Sequence, residues 1–371
     1  MKLSRLSLQN FRNYGDASIE FEGENVHLFV GPNGAGKTNI LEAVSVLSLT
    51  KSCLSADDEE VVRWGEQFFR VRGEGTTDDG EEITGEVVSQ FAPKRGKACF
   101  LNDVRRGIGE MVGAIPSVVF LPQDLELFTG SPAQRRSYFD RLLSQVSPAY
   151  LETFLAYQKI LKQRNALLRS IAQGVSREED LSVWDERVAQ TGSVITLRRL
   201  ELVEVLQCSL LQELRSLGES FADAKIVYER KGEGRTEEEL SAELAELLQM
   251  NRRRDIVLQS TSVGPHRDDW TIVADGHPLP SFASRGQQRA AVLALLMLQI
   301  SYLELQRGER PIVLLDDVFS ELDDAHQHAL LDSFSTHQVL ITATHVPPLL
   351  GSAVLWRVEE GRVGRKEVMK V

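Results

Sequence analysis

The chain has only three cysteines in 371 residues, Cys53, Cys99 and Cys208, far apart and without CxxC spacing. Their odd number and separation argue against a disulfide framework and a zinc site, and point to a reducing cytoplasm. No apolar run approaches the ~18 residues of a membrane span; even Ala290–Ile300 is short and flanked by arginines. The opening Met1–Leu6 has no apolar core and no small-residue cleavage site, so no secretory signal and no membrane attachment are expected. An excess of positive charge is missing too. With 42 Lys and Arg against 54 Asp and Glu the net charge is −12, the wrong sign for a protein coated in nucleic acid. Any DNA contact is expected to use a local basic face, because charges more than ~10 Å away are screened. There is no GxSxG or HExxH, no internal repeat and no low-complexity segment.

What is present reads as one α/β domain interrupted by helices. Leu6 and Leu8, then Ile19 and Phe21, alternate with polar residues, and Val26–Val30 is an apolar run ending at glycine. From Thr38, Ile40, Leu41, Val44 and Leu47 fall at helical spacing. Glu74–Glu86, rich in Gly, Asp and Thr, reads as a solvent-facing hairpin or loop, and Val118–Leu121 as a short buried strand. Ser131–Asn251 is mostly helical in pattern, broken at Pro148, near Gly174 and at a strand over Phe221–Glu229, with a capping box at Thr236–Glu239. Strand signals return at Trp270–Ala274, Ile312–Leu315 and Val339–Thr342, around an apolar helix at Ala290–Leu305. The expected division is a head, residues 1–122 and 255–371, and a helical insertion, residues 123–254.

Gly31-Pro32-Asn33-Gly34-Ala35-Gly36-Lys37-Thr38 fits GxxxxGK[ST] in full, between an apolar strand and a helix. Glycines let backbone N–H groups approach phosphates, and the helix directs its positive end at them. Lys37 is the candidate to neutralise the β and γ oxygens, and the Thr38 hydroxyl to bind Mg²⁺. Ile312-Val313-Leu314-Leu315-Asp316-Asp317 adds two acids at the end of a buried strand, where ligands sit in open α/β sheets. Asp316 is the second Mg²⁺ candidate and Asp317 the candidate to polarise the attacking water. Asp323, Asp324, His326 and His328 read as a polar helix face and not as a metal site.

Further motifs carry a resemblance. Ser284-Arg285-Gly286-Gln287, opening a long helix, resembles the signature motif of ABC-type ATPases, and Ser320-Glu321-Leu322-Asp323 their D-loop. Gln123 stands where that family has its Q-loop, a further Mg²⁺ contact, and His345 where it has the switch histidine. Within the superfamily the chain resembles the RecF family along its whole length. The blocks are Leu8-Gln9-Asn10-Phe11-Arg12-Asn13-Tyr14, Gly130–Arg136, Gly264-Pro265-His266-Arg267-Asp268-Asp269 and Leu314–Asp323.

The resemblance implies an ABC-type head with a short helical lid, and a cytoplasmic ATPase of recombinational repair working with ATP and Mg²⁺. Two copies would dimerise on ATP, with Ser284, Gly286, Gln287 and Asp323 of one completing the nucleotide site of the other. The dimer would clamp DNA at gaps and help load the recombinase with RecO and RecR as partners. Arg12 is a candidate for an extra phosphate or interface contact, with an ordinary exposed arginine as the equal alternative. Two departures stand out. Arg285 replaces the first glycine of the usual Ser-Gly-Gly, and Asp317 stands where most ABC ATPases have Glu, which predicts slow hydrolysis.

Between Thr38 and Ser284 lie 245 residues, yet Ser131–Asn251 is only about 120, which folded back at ~1.5 Å per residue extends at most ~90 Å. That excludes the long coiled coil of SMC proteins. Basic clusters at Lys94-Arg95-Lys97, Arg105-Arg106, Arg135-Arg136, Lys159-Lys162-Arg164 and Arg252-Arg253-Arg254 are the available DNA-facing groups, each by itself an ordinary solvated face. The alternatives are an ABC-type ATPase acting on the ribosome or a transporter, and a nucleotide-bound scaffold without turnover. A ribosomal ATPase would usually bring two P-loops, and the insertion argues against a transporter motor.

Overall fold

The computed structural model describes residues 1–54, 56–347 and 350–369. The chain forms two compact units. The first, residues 1–126, 213–219 and 289–371, holds two six-stranded sheets. One is antiparallel and ordered β2-β1-β4-β5-β6-β7, from β1 (Lys2–Phe11), β2 (Tyr14–Glu20), β4 (Phe68–Thr76), β5 (Glu82–Gln90), β6 (Gly96–Leu101) and β7 (Val104–Arg106). The other is ordered β15-β14-β3-β13-β12-β8, from β3 (Val26–Val30), β8 (Ser117–Phe120), β12 (Ile312–Asp316), β13 (Val339–Ala343), β14 (Ala353–Glu359) and β15 (Arg362–Met369). Within it only β15 runs antiparallel to its neighbour. All residues of β12 and β13 are buried, as strands covered on both faces require.

The helix Lys37–Leu49 packs against strands of both sheets, which explains why it is buried all round, Glu42 included. Of the two readings of Glu74–Glu86 the hairpin is the one that forms: its ends are paired rungs of β4 and β5, and residues 77–81 turn. A Cβ on Gly73 would stand 2.6 Å from Leu47 Cδ1, so this glycine makes room for the helix.

The second unit, residues 127–212 and 220–288, contains the helices Pro132–Val146, Pro148–Ala172 and Glu237–Leu258, and most of Leu181–Ser216. Its sheet is ordered β11-β10-β9, from β9 (Ala224–Glu229), β10 (Asp269–Ala274) and β11 (His277–Pro278). The expected capping box forms, Thr236 Oγ1 accepting from Glu239 N at 3.3 Å. The boundary differs from the expected return to the head at residue 255. β10 pairs with β9 over Asp269–Ala274, which keeps residues 255–288 in the second unit. Its core stacks Trp270 on Phe139 at 4.5 Å.

Among the described residues one helix, Arg285–Arg307, has the length and composition to cross a membrane. Every residue from Ala290 to Ile300 is buried, as in the core helix of a folded domain.

Candidate nucleotide site

Strand register brings the expected residues of the first unit to one edge. Asp316 pairs with Thr342, Thr342 with Phe29, Ala343 with Val30, and Leu315 with Phe120. The carboxyl ends of β3, β13, β12 and β8 therefore lie in a row. Gly31–Thr38 leaves β3, Asp316-Asp317 ends β12, Gln123 follows β8, and His345 follows β13.

The loop after β3 is braced from two turns. Asn13 Nδ2 donates to Ala35 O at 2.9 Å and Tyr14 OH to Gly36 O at 2.9 Å, while Asn39 Nδ2 donates to Asn13 Oδ1 at 2.9 Å. From the β14–β15 turn, Gly361 N donates to Ala35 O at 3.2 Å. Gly36 has φ 108°, and a Cβ there would meet Asn13 Nδ2 at 2.4 Å. At Gly31 a Cβ would stand 2.1 Å from Val358 O. No side chain fits at either position. Pro32, Asn33 and Gly34 are exposed, whereas Ala35 and Gly36 are buried. The helix Lys37–Leu49 carries no acid of its own in its first turn, and its positive end faces the loop. Lys37 Nζ donates to Gly31 O at 2.8 Å and Pro32 O at 3.0 Å. Burial lowers its pKa, against the opposing pull of Asp317 and Asp316.

Opposite the loop, the Asp316 carboxylate accepts from Thr38 Oγ1 at 2.7 Å and from Thr342 Oγ1 at 2.6 Å. Two hard oxygens at that spacing suit Mg²⁺, since neighbouring ligands 2.0–2.1 Å from an octahedral ion lie about 3 Å apart. Thr342 also receives the backbone of the second acid, Asp317 N donating to Thr342 Oγ1 at 3.0 Å and to Thr342 O at 3.1 Å. Asp317 is held at φ 46°, in the left-handed region that Asp tolerates better than most residues. Burial and the neighbouring Asp316 raise its carboxyl pKa, with Lys37 opposing.

The remaining expected residues are placed as follows. Gln123 is exposed on a single helical turn, Pro122–Glu126, and His345 is exposed with Nδ1 3.1 Å from Thr344 Oγ1. Asp323 caps the helix Asp324–Ser333, Oδ1 accepting from His326 N at 3.0 Å and meeting His326 Nδ1 at 2.7 Å. Ser284, Gly286 and Gln287 lie in the second unit, Gly286 exposed. Ser284 and Gln287 form a reciprocal cap, Gln287 N to Ser284 Oγ at 3.2 Å and Ser284 N to Gln287 Oε1 at 3.0 Å.

Arg12 is neither a free cation nor an ordinary exposed arginine. Nε and Nη2 fork onto Glu42 at 2.7 and 2.6 Å, and Nη1 donates to Glu60 O at 2.7 Å. Sequence reasoning named Asn13 and Tyr14 only within a family-like block, and gave no role to Thr342 or to Gln327, whose Nε2 donates to Phe319 O and Leu322 O at 2.8 Å each around the expected D-loop. The one local hint was Thr342, a hydroxyl in an otherwise apolar buried strand.

A mostly parallel sheet with a GxxxxGKT loop after β3, and acids ending β12 one strand beyond its neighbour, defines the class: an ABC-type ATP-binding head. Residues 2–364 match the family model for the RecF/RecN/SMC N terminal domain. The chain is 36% identical over 373 residues to the DNA replication and repair protein RecF of Heliobacterium modesticaldum, covering 98% of this chain and 99% of that one. Identity to the protein of the same name from Moorella thermoacetica is 37% over 372 residues, covering 98% and 97%. The solved structure of the recombination mediator protein RecF with ATP, in the RecFOR pathway, matches with a TM-score of 0.89 at 31% identity, covering 98% of this chain and 97% of that chain. An Smc head bound to the C-terminal winged-helix domain of ScpA shares the fold alone, with a TM-score of 0.54 at 13% identity. The chain belongs to the RecF family.

Proposed function

We propose that the protein is an ATP-dependent DNA-binding protein of recombinational repair, a dimeric clamp whose slow hydrolysis times its release from DNA. The observation that carries the nucleotide part is the contact of Thr38 Oγ1 with Asp316 at 2.7 Å, beside the Lys37 loop. Thr38 and Asp316, with Gln123 completing the set, would hold Mg²⁺, which when bound neutralises phosphate oxygens. Lys37 would leave the carbonyls of Gly31 and Pro32 for the β and γ oxygens, and the backbone of Gly31–Gly36 would cradle the phosphates. Asp317 would take the proton of the attacking water, with His345 beside the γ-phosphate. Ser284, Gly286, Gln287 and Asp323 would close the site in trans. Arg12 would act on it indirectly, through Glu42 on the P-loop helix.

The DNA part rests on family membership, since the relatives are named as DNA replication and repair proteins and the solved relative belongs to the RecFOR pathway. RecO- and RecR-type mediators are the corresponding partners. A cytoplasmic location follows from the same reading.

Asp317 is one methylene shorter than the Glu usual at its position, which would hold its carboxylate farther from the γ-phosphate. Asp317→Glu should raise single-turnover ATP hydrolysis about tenfold, and Asp317→Asn should lower it by about a hundredfold. The longer side chain at φ 46° would cost about 1 kcal/mol of stability. Hydrolysis indifferent to both substitutions would remove Asp317 from the mechanism and leave a nucleotide-bound scaffold.

A further inference from the structure

Phe282 is 65% exposed, two residues before the signature serine. It is not a loose side chain. The ring stacks on His277 with centroids 4.5 Å apart and planes 20° from parallel. His277 itself is exposed and belongs to β11, paired with Ala274 of β10. The turn Leu279–Phe282 is anchored by Leu279, 1% exposed, and closed by Ala283 N donating to Leu279 O at 3.0 Å. Gln288 then ties this turn to the signature helix, its Nε2 donating to Ala283 O at 3.1 Å and Pro280 O at 3.3 Å. The reciprocal cap of Ser284 and Gln287 fixes the intervening step. Phe282 and Ser284 are thus one rigid piece.

An immobilised aromatic ring in water is a poor use of a core-type side chain, but it is what an interface anchor requires. Little rotamer freedom remains to be lost, and a large apolar face is ready to be covered. We infer that Phe282, stacked on His277, is an apolar anchor of the ATP-dependent dimer and docks on a second copy of this chain. The inference rests on the reading that Ser284 closes the partner's nucleotide site. Two residues of chain span at most about 7 Å. Wherever Ser284 meets the second copy, the adjoining ring therefore lies within reach of the rim of the same site. A two-fold axis repeats the contact, so one substitution removes two anchors.

The test is sedimentation velocity over a range of protein concentrations with Mg-ATP, on wild type, Phe282→Ala, Phe282→Trp and the control Val175→Ser, whose side chain is 77% exposed between helices. Binding of a fluorescent ATP analogue and circular dichroism report on the monomer. Phe282→Ala should weaken dimerisation about 10- to 100-fold, with monomer nucleotide binding and the melting curve unchanged. Phe282→Trp and Val175→Ser should dimerise like wild type. If Phe282→Ala dimerises at the wild-type midpoint, the anchor is overturned and the dimer reading stands. If wild type stays monomeric with Mg-ATP throughout, the dimer reading falls and the anchor with it.

Discussion

Arg12 holds the left-handed conformation, φ 52°, and turns its guanidinium onto Glu42, which is fully buried on the P-loop helix. The hydrogen-bonded carboxylate raises the arginine's pKa, against its partial burial. Removing Arg12 leaves Glu42 buried with the Ser52 hydroxyl but no counter-charge. Arg12→Ala should therefore cost about 3 kcal/mol in urea unfolding without any nucleotide, and Glu42→Gln added to it should recover part. An unchanged midpoint together with lost ATP affinity would restore the direct phosphate contact. At this scale the sequence was informative where function is local. Gly31–Thr38 and Asp316-Asp317 announce themselves because adjacent residues must serve one ligand. Asn13, Tyr14 and Thr342 serve the same site through hydrogen bonds reaching 22 to 26 residues along the chain, which no local pattern records.

Among the elements, the segment Gly264–Asp269 stood out in the sequence only through family resemblance. Its packing gives it a physical reason. Pro265 O accepts from the buried Arg199 at 2.7 Å, Asp268 accepts from Tyr228 OH at 3.0 Å, and Asp269 forks with Arg135 at 2.8 and 2.7 Å. His266 Nδ1 meets Tyr157 OH at 2.6 Å. Burial lifts the Asp268 carboxyl to about 6, against the attraction of Arg199, Arg230 and Arg136. Burial likewise holds the His266 imidazole down to about 4, reinforced by Arg267, Arg136 and Arg164 while its bond to Thr261 opposes.

The two shifts act on stability with opposite signs. Between the ordinary aspartate value and about 6, the folded state holds a proton at Asp268 that the unfolded chain has lost, so stability falls as pH rises. Between about 4 and the ordinary histidine value, the unfolded chain holds a proton that folded His266 has lost, so stability rises with pH. In wild type these slopes nearly cancel. Relative to wild type, Asp268→Asn should gain about 3 kcal/mol from pH 4 to 6.5 and His266→Gln should lose about as much, as read from urea unfolding. Parallel profiles for all three proteins would refute the pairing.

For the whole molecule, the α/β class and the interrupting helical segment were legible, because period-2 and helical patterns are local. The return point was not. Residues 255–288 read as head because they carry strand signals, but the partner of β10 is β9 in the second unit, and pairing partners leave no local trace. Folding also thins the set of DNA-facing groups. Arg135 is committed to Asp269, Arg136 to Asp268 O, Arg164 to Asp185 and Asp255, and Arg252 to Asp185. Arg95 pairs with Glu59, Arg106 with Glu110, and Lys97 with Asp58. Lys94, Arg105, Lys159, Lys162, Arg253 and Arg254 remain exposed. In the proposed dimer each of these six would be present twice, and they are the groups to substitute in mapping a site of about six to ten phosphate contacts.

The most direct test of the ATP-driven clamp is fluorescence anisotropy of labelled gapped DNA, titrated with the protein with and without Mg-ATP at 50 and 200 mM salt. The clamp predicts binding that requires Mg-ATP and weakens by about 10³-fold or more at the higher salt. Binding indifferent to ATP, or absent at the lower salt, would contradict the coupling of the nucleotide site to DNA.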